Sequence, residues 1–428
     1  MPECCPVGLP SARRFPPPRL LNQEERITPA HWRILAFSWA GWLFDFYDLM
    51  LFSFLLVPVR RELNLSQVEA GLLLGLSLGS TAVGGILSGY LSDRFGRKPI
   101  LQLTILVYSL GTFLCGLAHG LADLALWRII CGLGIGGEWG TGQTYIGETF
   151  PPRVRARYAA VMQSGAPLGV ALAAVVGGLF APRFGWRMAF FVSVSPALLT
   201  VLVRRWLPES DVWEQASRRR GRVPFENPFG QLLAADLRRP FALAMVLAVL
   251  ALSAYWFTYS WLPAYLSESR GLSLTKSSLW LLVTQAGGLT GYLSFGLLAD
   301  RFGRRPAVCA YSLTWATGLL AVTLFWEWCS LWPCLLLFFM FTVGLGTGVF
   351  SGFGPIFAEL FPTRVRNTAV STIFNAARGA QFFTPVAIGW IAGRWGLAGG
   401  IALAALFAVA MAAWVWTLPE TRGRLIEE

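Results

Sequence analysis

Four ionisable side chains stand where the surrounding residues are almost uniformly apolar. Asp45 and Asp48 lie in Asp45-Phe46-Tyr47-Asp48, Arg128 opens Arg128-Ile129-Ile130-Cys131, and Arg378 closes Asn375-Ala376-Ala377-Arg378. Glu138 follows Arg128 within the same apolar run. A charge in hydrocarbon costs several kcal/mol, so each of these groups is a functional candidate by default. Asp45 and Asp48 are three apart and share a helix face. There they repel each other, and one of them is expected to exchange a proton against release of a basic partner. Arg128 is the available partner, and Glu138 is a second candidate proton carrier or a partner for a group on the following helix. The same acids and Arg128 could instead form a fixed structural triad. Arg378 has no acid on its own segment, and a guanidinium fork left in that state suits the carboxylate of an organic anion. Depths counted at 1.5 Å per residue put Asp45 and Arg378 both roughly 18 Å from one membrane face, with Arg128 roughly 21 Å and Asp48 roughly 22 Å from it.

Polar but uncharged residues fall at similar depth on other segments: Gln163, Tyr255, Tyr259, Gln285, Asn375 and Gln381. They are the expected walls of a binding cavity. Tyr255 and Tyr259 share a helix face and, with Trp256 and Trp261, could clasp a compact apolar body while their hydroxyls orient it. Pro263 is expected to bend its helix near one end. Bond-making chemistry has no comparable support. The two histidines, His31 and His119, fall in expected loop regions, no nucleophile–base pair is recognisable, and no phosphate-binding loop is present, so neither an enzyme nor a resident metal or cofactor is expected.

The elements that must position these residues are membrane helices. The chain has 428 residues, 55% of them apolar and 14% charged, with a mean hydropathy of +0.55. That composition leaves too little polar surface for a water-soluble fold of this size. Twelve segments are long enough to span the hydrocarbon: 33–59, 68–91, 99–118, 122–147, 157–181, 187–205, 241–267, 277–299, 306–326, 330–358, 366–392 and 397–417. Glycines at close spacing, such as Gly71, Gly75 and Gly79, allow helix backbones to approach. The net charge of +12 comes from short basic gaps between segments rather than one basic face, which fits membrane topology and not nucleic-acid binding. Most of the 35 lysines and arginines fall on the side of the chain ends, so both termini are expected in the cytoplasm. Residues 1–32 read as a disordered cytoplasmic tail, 33–205 as one six-helix bundle, 206–240 as a cytoplasmic linker, 241–417 as a second bundle and 418–428 as a closing tail. Of the seven cysteines, most read as small apolar fillers, and Cys329 and Cys334 flank an expected outside loop that a disulfide could bridge.

The two bundles are copies of one unit. Asp93-Arg94-Phe95-Gly96-Arg97-Lys98-Pro99 returns as Asp300-Arg301-Phe302-Gly303-Arg304-Arg305-Pro306. Glu148-Thr149-Phe150-Pro151 returns as Glu359-Leu360-Phe361-Pro362, Arg183-Phe184-Gly185 as Arg394-Trp395-Gly396, and Leu207-Pro208-Glu209-Ser210 as Leu418-Pro419-Glu420-Thr421. An inexact internal symmetry of this period in an apolar chain points to secondary transport.

The phrase Gly89-Tyr90-Leu91-Ser92-Asp93-Arg94-Phe95-Gly96-Arg97-Lys98 resembles the signature loop of the major facilitator superfamily, with a matching copy from Gly296 to Arg305, and Arg128-Ile129-Ile130-Cys131-Gly132-Leu133-Gly134 resembles its R-x-x-x-G-x-G motif. The similarity covers residues 33 to 421. Asp45-Phe46-Tyr47-Asp48 is similar to the D-x-[FY]-D pattern of aromatic-acid/proton symporters and of the sialic-acid and lactate symporter group, and Gly136-Gly137-Glu138-Trp139-Gly140 resembles the latter, whereas Phe46 stands where the aromatic-acid group usually has glycine. The resemblance implies an all-α membrane protein of twelve helices in two pseudo-symmetric six-helix bundles, working by alternating access. It implies a cytoplasmic gate made by Asp93, Arg94, Gly96 and Arg97, by Glu148 with Arg153 and Arg155, and in the second half by Asp300, Arg301, Arg304, Glu359, Arg364 and Arg366. The resulting expectation is a proton-coupled symporter of a small organic anion, a lactate-like or sialate-like monocarboxylate, acting as a monomer in the bacterial inner membrane. A sugar or neutral-metabolite carrier, or a membrane nutrient sensor that does not transport, would use the same fold.

Overall fold

The computed structural model describes residues 27–151, 158, 161–195, 205–210, 214, 232, 234–361 and 366–420. The described secondary structure is helical throughout, as the apolar segments require: a backbone in hydrocarbon must satisfy its own hydrogen bonds. The first half comprises α1 (Pro29–Glu62), α2 (Gln67–Phe95), α3 (Arg97–Cys115), α4 (Leu121–Thr149), α5 (Gly165–Val175, running on through a π turn, Val176–Phe180) and α6 (Trp186–Val192). The second comprises α7 (Arg238–Tyr259), α8 (Leu274–Phe302), α9 (Arg304–Thr323), α10 (Pro333–Gly346, running on through a tight turn to Phe350–Leu360), α11 (Arg366–Gly379) and α12 (Phe383–Trp414). Nine stretches among the described residues are long and apolar enough to cross a membrane. One of them, Thr372–Thr417, makes two crossings because it turns at Gly396. α4 is not among the nine; it carries Arg128 and Glu138, yet its 29 residues form one unbroken helix.

The sequence repeats reappear as repeated backbone turns. Gly96 ends α2 with φ 106° and ψ 160°, and Gly303 ends α8 with φ 107° and ψ 159°. Gly185 lies between α5 and α6 at φ 85°, and Gly396 breaks α12 at φ 69°. These φ values strain any residue with a Cβ, which is why glycine stands at all four. The third echo is a cap. Glu209 accepts hydrogen bonds from the backbone N–H groups of Arg97 (3.0 Å) and Lys98 (3.2 Å), and Glu420 does the same for Arg304 (2.9 Å) and Arg305 (3.1 Å). Each carboxylate covers the exposed donors at the start of α3 or α9, where the helix dipole favours negative charge.

Within the first half α4 packs on α2 and α3, and α1 on α5; within the second, α10 packs on α8 and α9, and α12 on α7 and α9. The bundles meet where α2 lies along α11 and α12, and where α5 lies along α8. Close approach at the first seam depends on glycine: a Cβ on Gly71 would come within 2.5 Å of the Pro385 carbonyl oxygen, and one on Gly75 within 2.3 Å of that of Phe382. Two readings change, those of His31 and of the Cys329–Cys334 bridge. His31 is not in a loop but in the first turn of α1, buried, with Nδ1 2.7 Å from the Thr28 hydroxyl and Nε2 3.2 Å from the Thr149 carbonyl oxygen. α7 does break where Pro263 is expected to bend it, at Ser260 and Trp261 just before the proline, whose ring clashes with the preceding turn. Cys329 and Cys334 are both free thiols.

Candidate functional site

Asp45 and Asp48 share a face of α1, about 60° apart around the helix, yet they meet partners in different bundles. Asp48 turns into its own bundle. Its Oδ2 lies 3.8 Å from Nη1 of Arg128 and accepts a hydrogen bond from the Cys131 thiol at 2.6 Å, while Thr112 donates to Oδ1. Arg128 donates from Nε to the Ser77 hydroxyl at 2.8 Å, and its guanidinium sits 4.7 Å above the Phe52 ring. Asp48, Arg128 and their partners therefore form a buried cluster among α1, α2, α3 and α4, in which Nη1 and Nη2 of Arg128 make no hydrogen bond. Helices α2 and α4 can approach closely enough to close it because of their glycines and serines.

Asp45 reaches across the seam. Its Oδ2 lies 3.5 Å from Nη2 of Arg378 on α11, and both residues are buried. This corrects the expectation that Arg378 is a lone cation. No acid on α11 neutralises it, but an acid from the other bundle reaches it, a relationship that spacing along one segment cannot reveal. The pair is under-satisfied: Oδ1 of Asp45 and Nη1 of Arg378 have no hydrogen-bond partner. Trp42 and Phe46 lie against the guanidinium, with ring centres 5.9 Å and 6.0 Å from Cζ.

Arg378 forms one wall of a narrow central cavity of about 20 Å³. Both bundles line it: Trp42, Phe46 and Gln163 from the first, and Leu252, Tyr255, Trp256, Tyr292, Phe350 and Phe374 together with Arg378 from the second. A cavity with mostly aromatic walls and one guanidinium suits a flat apolar body with a single anionic end. Trp139 and Phe374 close it on the side of the chain ends, stacked across the seam with ring centres 4.2 Å apart. Trp139 also donates to Gln163 at 3.3 Å. At the opposite, far face the bundles are tied by Arg60 to Glu268 at 3.0 Å and by the Thr275 hydroxyl to the Gly178 carbonyl at 2.7 Å.

Of the expected cavity residues, Arg378, Tyr255 and Gln163 line the space. Gln381 is turned into its own bundle instead, accepting from Ser253 and Thr384 and donating to the Ala377 carbonyl. Gln285 donates to Thr284, and Tyr259 stacks 4.7 Å from Tyr255 without reaching the cavity. Asn375 is buried at the seam beside Gly85, away from the cavity lining. Trp261 donates to the Pro385 carbonyl and is wholly buried. Polar side chains in a membrane helix find partners on the preceding turn or the neighbouring helix, so polarity alone overcounts the site. Phe46, Tyr292, Phe350, Phe374 and Trp42 were not among the expected residues; in sequence they look like any lipid-facing aromatic. Glu138 approaches neither α5 nor a cation among the described residues. Its Oε2 accepts from Thr104 at 3.2 Å, and its carboxylate fills the space beside Gly41 on α1.

At the face of the chain ends, Glu148 holds Arg97 through two hydrogen bonds, of 2.6 Å and 3.2 Å, and accepts a third from the Ser210 hydroxyl. The expected contact of Glu148 with Arg153 and Arg155 falls outside the described residues, as does Arg364, and the side chains of Asp93, Arg94, Asp300, Glu359 and Arg366 are likewise not described. Arg301 is exposed, its Cζ 5.3 Å from the Phe302 ring, and Arg304 meets Glu420 through its backbone N–H.

Known proteins share this arrangement. The family model described as Major Facilitator Superfamily matches residues 38–295, and that described as Sugar (and other) transporter matches residues 227–428. The chain is 33% identical to the probable 4-methylmuconolactone transporter of Cupriavidus pinatubonensis over 91% of its own length and 90% of that protein. It is 30% identical to the cis,cis-muconate transport protein of Acinetobacter baylyi, covering 87% of this chain and 90% of the relative. Its fold matches a crystal structure of a D-xylose–proton symporter with a TM-score of 0.76 at 21% identity, over 92% of this chain and 99% of the other. The internal repeat, the paired glycine turns and the central cavity between two helical bundles are thus those of a multi-pass carrier of small metabolites, and the chain belongs to the major facilitator superfamily.

Proposed function

We propose that this carrier takes up a small organic anion, a monocarboxylate with a flat apolar body, together with one proton. The face of the chain ends lies in the cytoplasm of a bacterial inner membrane, since most lysines and arginines gather there, and the two bundles that rock against each other are residues 33–205 and 241–417. The contacts that seal the far face, together with the Trp139–Phe374 stack between the cavity and the cytoplasm, support an occluded arrangement.

The observation that carries the reading is the buried Arg378–Asp45 pair at the edge of the cavity. In the empty carrier the two charges cancel. A proton on Asp45 releases Arg378, and the substrate carboxylate takes the vacated place, again leaving no net charge. The proton alone would leave one uncompensated cation between the bundles, and the anion alone one uncompensated anion. Either is costly in a low-dielectric site, so neither half-loaded form reorients readily. Coupling follows from charge balance at one guanidinium. Asp48, held by Arg128, Cys131 and Thr112, anchors the first bundle rather than exchanging protons.

The named substrates of the relatives, a muconate and a methylmuconolactone, are unsaturated acid-derived compounds, and they support an organic-anion substrate. The match of residues 227–428 to a sugar transporter model favours one other reading, a neutral-metabolite carrier in which Arg378 and Asp45 stay paired throughout. Counterflow in proteoliposomes with labelled cis,cis-muconate, benzoate and xylose separates the two. Exchange of a carboxylate that is lost in Arg378→Gln, with the variant still folded, supports anion transport; exchange of xylose alone supports the other reading.

A further inference from the structure

The cavity holds more hydrogen-bond donors than a single carboxylate needs. Trp42 and Trp256 both line it, are 2% and 3% exposed, and bury an indole N–H that has no hydrogen-bond partner. Nη1 of Arg378 is a third such donor. Of the other indoles nearby, Trp139 donates to Gln163 and Trp261 to the Pro385 carbonyl, while Trp315, whose N–H also has no partner, packs behind Tyr255 and Phe350 and does not line the cavity. A buried donor left unmade is unfavourable, and an indole offers only a donor, so what completes it must be an acceptor. A water can fill that role in the empty cavity, but a flat ligand that displaces the water must replace its hydrogen bond or bind more weakly.

The two indoles are differently placed. Trp42 lies against the Arg378 guanidinium, within reach of the carboxylate bound there. Trp256 stands on α7 beside Tyr255, their rings 5.4 Å apart, and makes no ring contact with Arg378. Deepening the anion-carrier reading and resting on it, we propose that the indole N–H of Trp256 reads a second acceptor on the substrate, distinct from the carboxylate that Arg378 and Trp42 hold. The preferred ligand is then a planar acid with a carbonyl, lactone oxygen, ring nitrogen or second carboxyl group away from its first carboxylate. Phe46, Tyr255 and Phe350, with ring centres of Tyr255 lying 6.1 Å and 5.6 Å from the other two, supply the apolar flanks.

Near-isosteric pairs test this directly on the purified full-length protein. Benzoate and nicotinate differ by one ring nitrogen, and 4-acetylbenzoate and 4-isopropenylbenzoate by a carbonyl oxygen in place of a methylene. Binding is read by the ligand-induced shift in thermal unfolding and by competition. The expected result is at least tenfold tighter binding of the acceptor-bearing member in at least one pair, reduced to less than threefold in Trp256→Phe, which removes the N–H and keeps a ring. Equal affinities in both pairs for the native protein would overturn the inference and leave anion transport intact, a result that needs no variant to fold. Preference for the acceptor that survives Trp256→Phe would also overturn it. If none of the acids binds, anion transport itself has failed.

Discussion

Arg378 and Asp45 come from different bundles, and at 3.5 Å they are the deepest opposite charges that meet across the central seam among the described residues. Arg128 and Asp48 form a second buried pair only three residues further along α1, but wholly within the first bundle. Rocking one bundle against the other would separate the first pair and leave the second intact. That difference divides the four charges into a moving set and a fixed set.

Charge balance makes the transport step electroneutral. One monocarboxylate and one proton replace the Asp45 charge at Arg378, so uptake of a monoanion into proteoliposomes should follow an imposed pH gradient and respond less than twofold to a valinomycin-imposed potassium potential. Uptake that tracks the potential would mean a different stoichiometry.

The fixed pair should matter for folding more than for coupling. Asp48→Asn leaves Arg128 buried without its counter-charge and is expected to cost about 3–5 kcal/mol of stability, while Asp48→Asn combined with Arg128→Met recovers most of it. Thermal unfolding in detergent checks both variants. A single variant as stable as the native protein would show that Asp48 is neutral there.

Gly75 sets how closely the bundles approach on the far side of the cavity. A side chain there meets the Phe382 carbonyl oxygen, backbone that cannot swing away. Gly75→Val is expected to disfavour this arrangement and open the far face, raising the labelling rate of a cysteine introduced at Gln67 by at least fivefold with an impermeant maleimide. An unchanged rate would mean that the seam does not control access.

The two carboxylate caps should be interchangeable in effect. Glu209→Ala and Glu420→Ala each uncover two backbone donors at a helix start, and each should lower stability by about 1 kcal/mol. A shift in unfolding temperature for one variant and none for the other would break the symmetry that the repeats imply.

Much of the architecture was legible in the sequence, because a membrane helix announces itself by length and apolarity and a duplicated chain repeats its turns. Gly96 and Gly303, or Gly185 and Gly396, mark equivalent bends that the repeated phrases already aligned. The buried charges were legible for the same reason, since each stands out against hydrocarbon. Their pairing was not. Whether Arg378 meets a substrate or an acid depends on how two separately folded bundles face each other, and no periodicity within α1 or α11 carries that information. The cavity walls were legible in part. Gln285 and Gln381 look like site residues but satisfy themselves within the second bundle, while Phe46 and Phe350 look like lipid-facing residues and line the space.

The account stands most directly on a count of protons. Adding a saturating monocarboxylate, with benzoate and nicotinate as the probes, to weakly buffered purified protein should take up close to one proton per molecule bound, and apparent affinity should fall about tenfold per pH unit once Asp45 is deprotonated in the empty carrier. Asp45→Asn should still bind the anion, gain more thermal stability from it than the native protein does because the anion now supplies the only charge opposite Arg378, and take up no proton. Proton uptake that persists in Asp45→Asn, or binding to the native protein with no proton uptake at any pH, would contradict the claim that the Arg378–Asp45 pair couples the two.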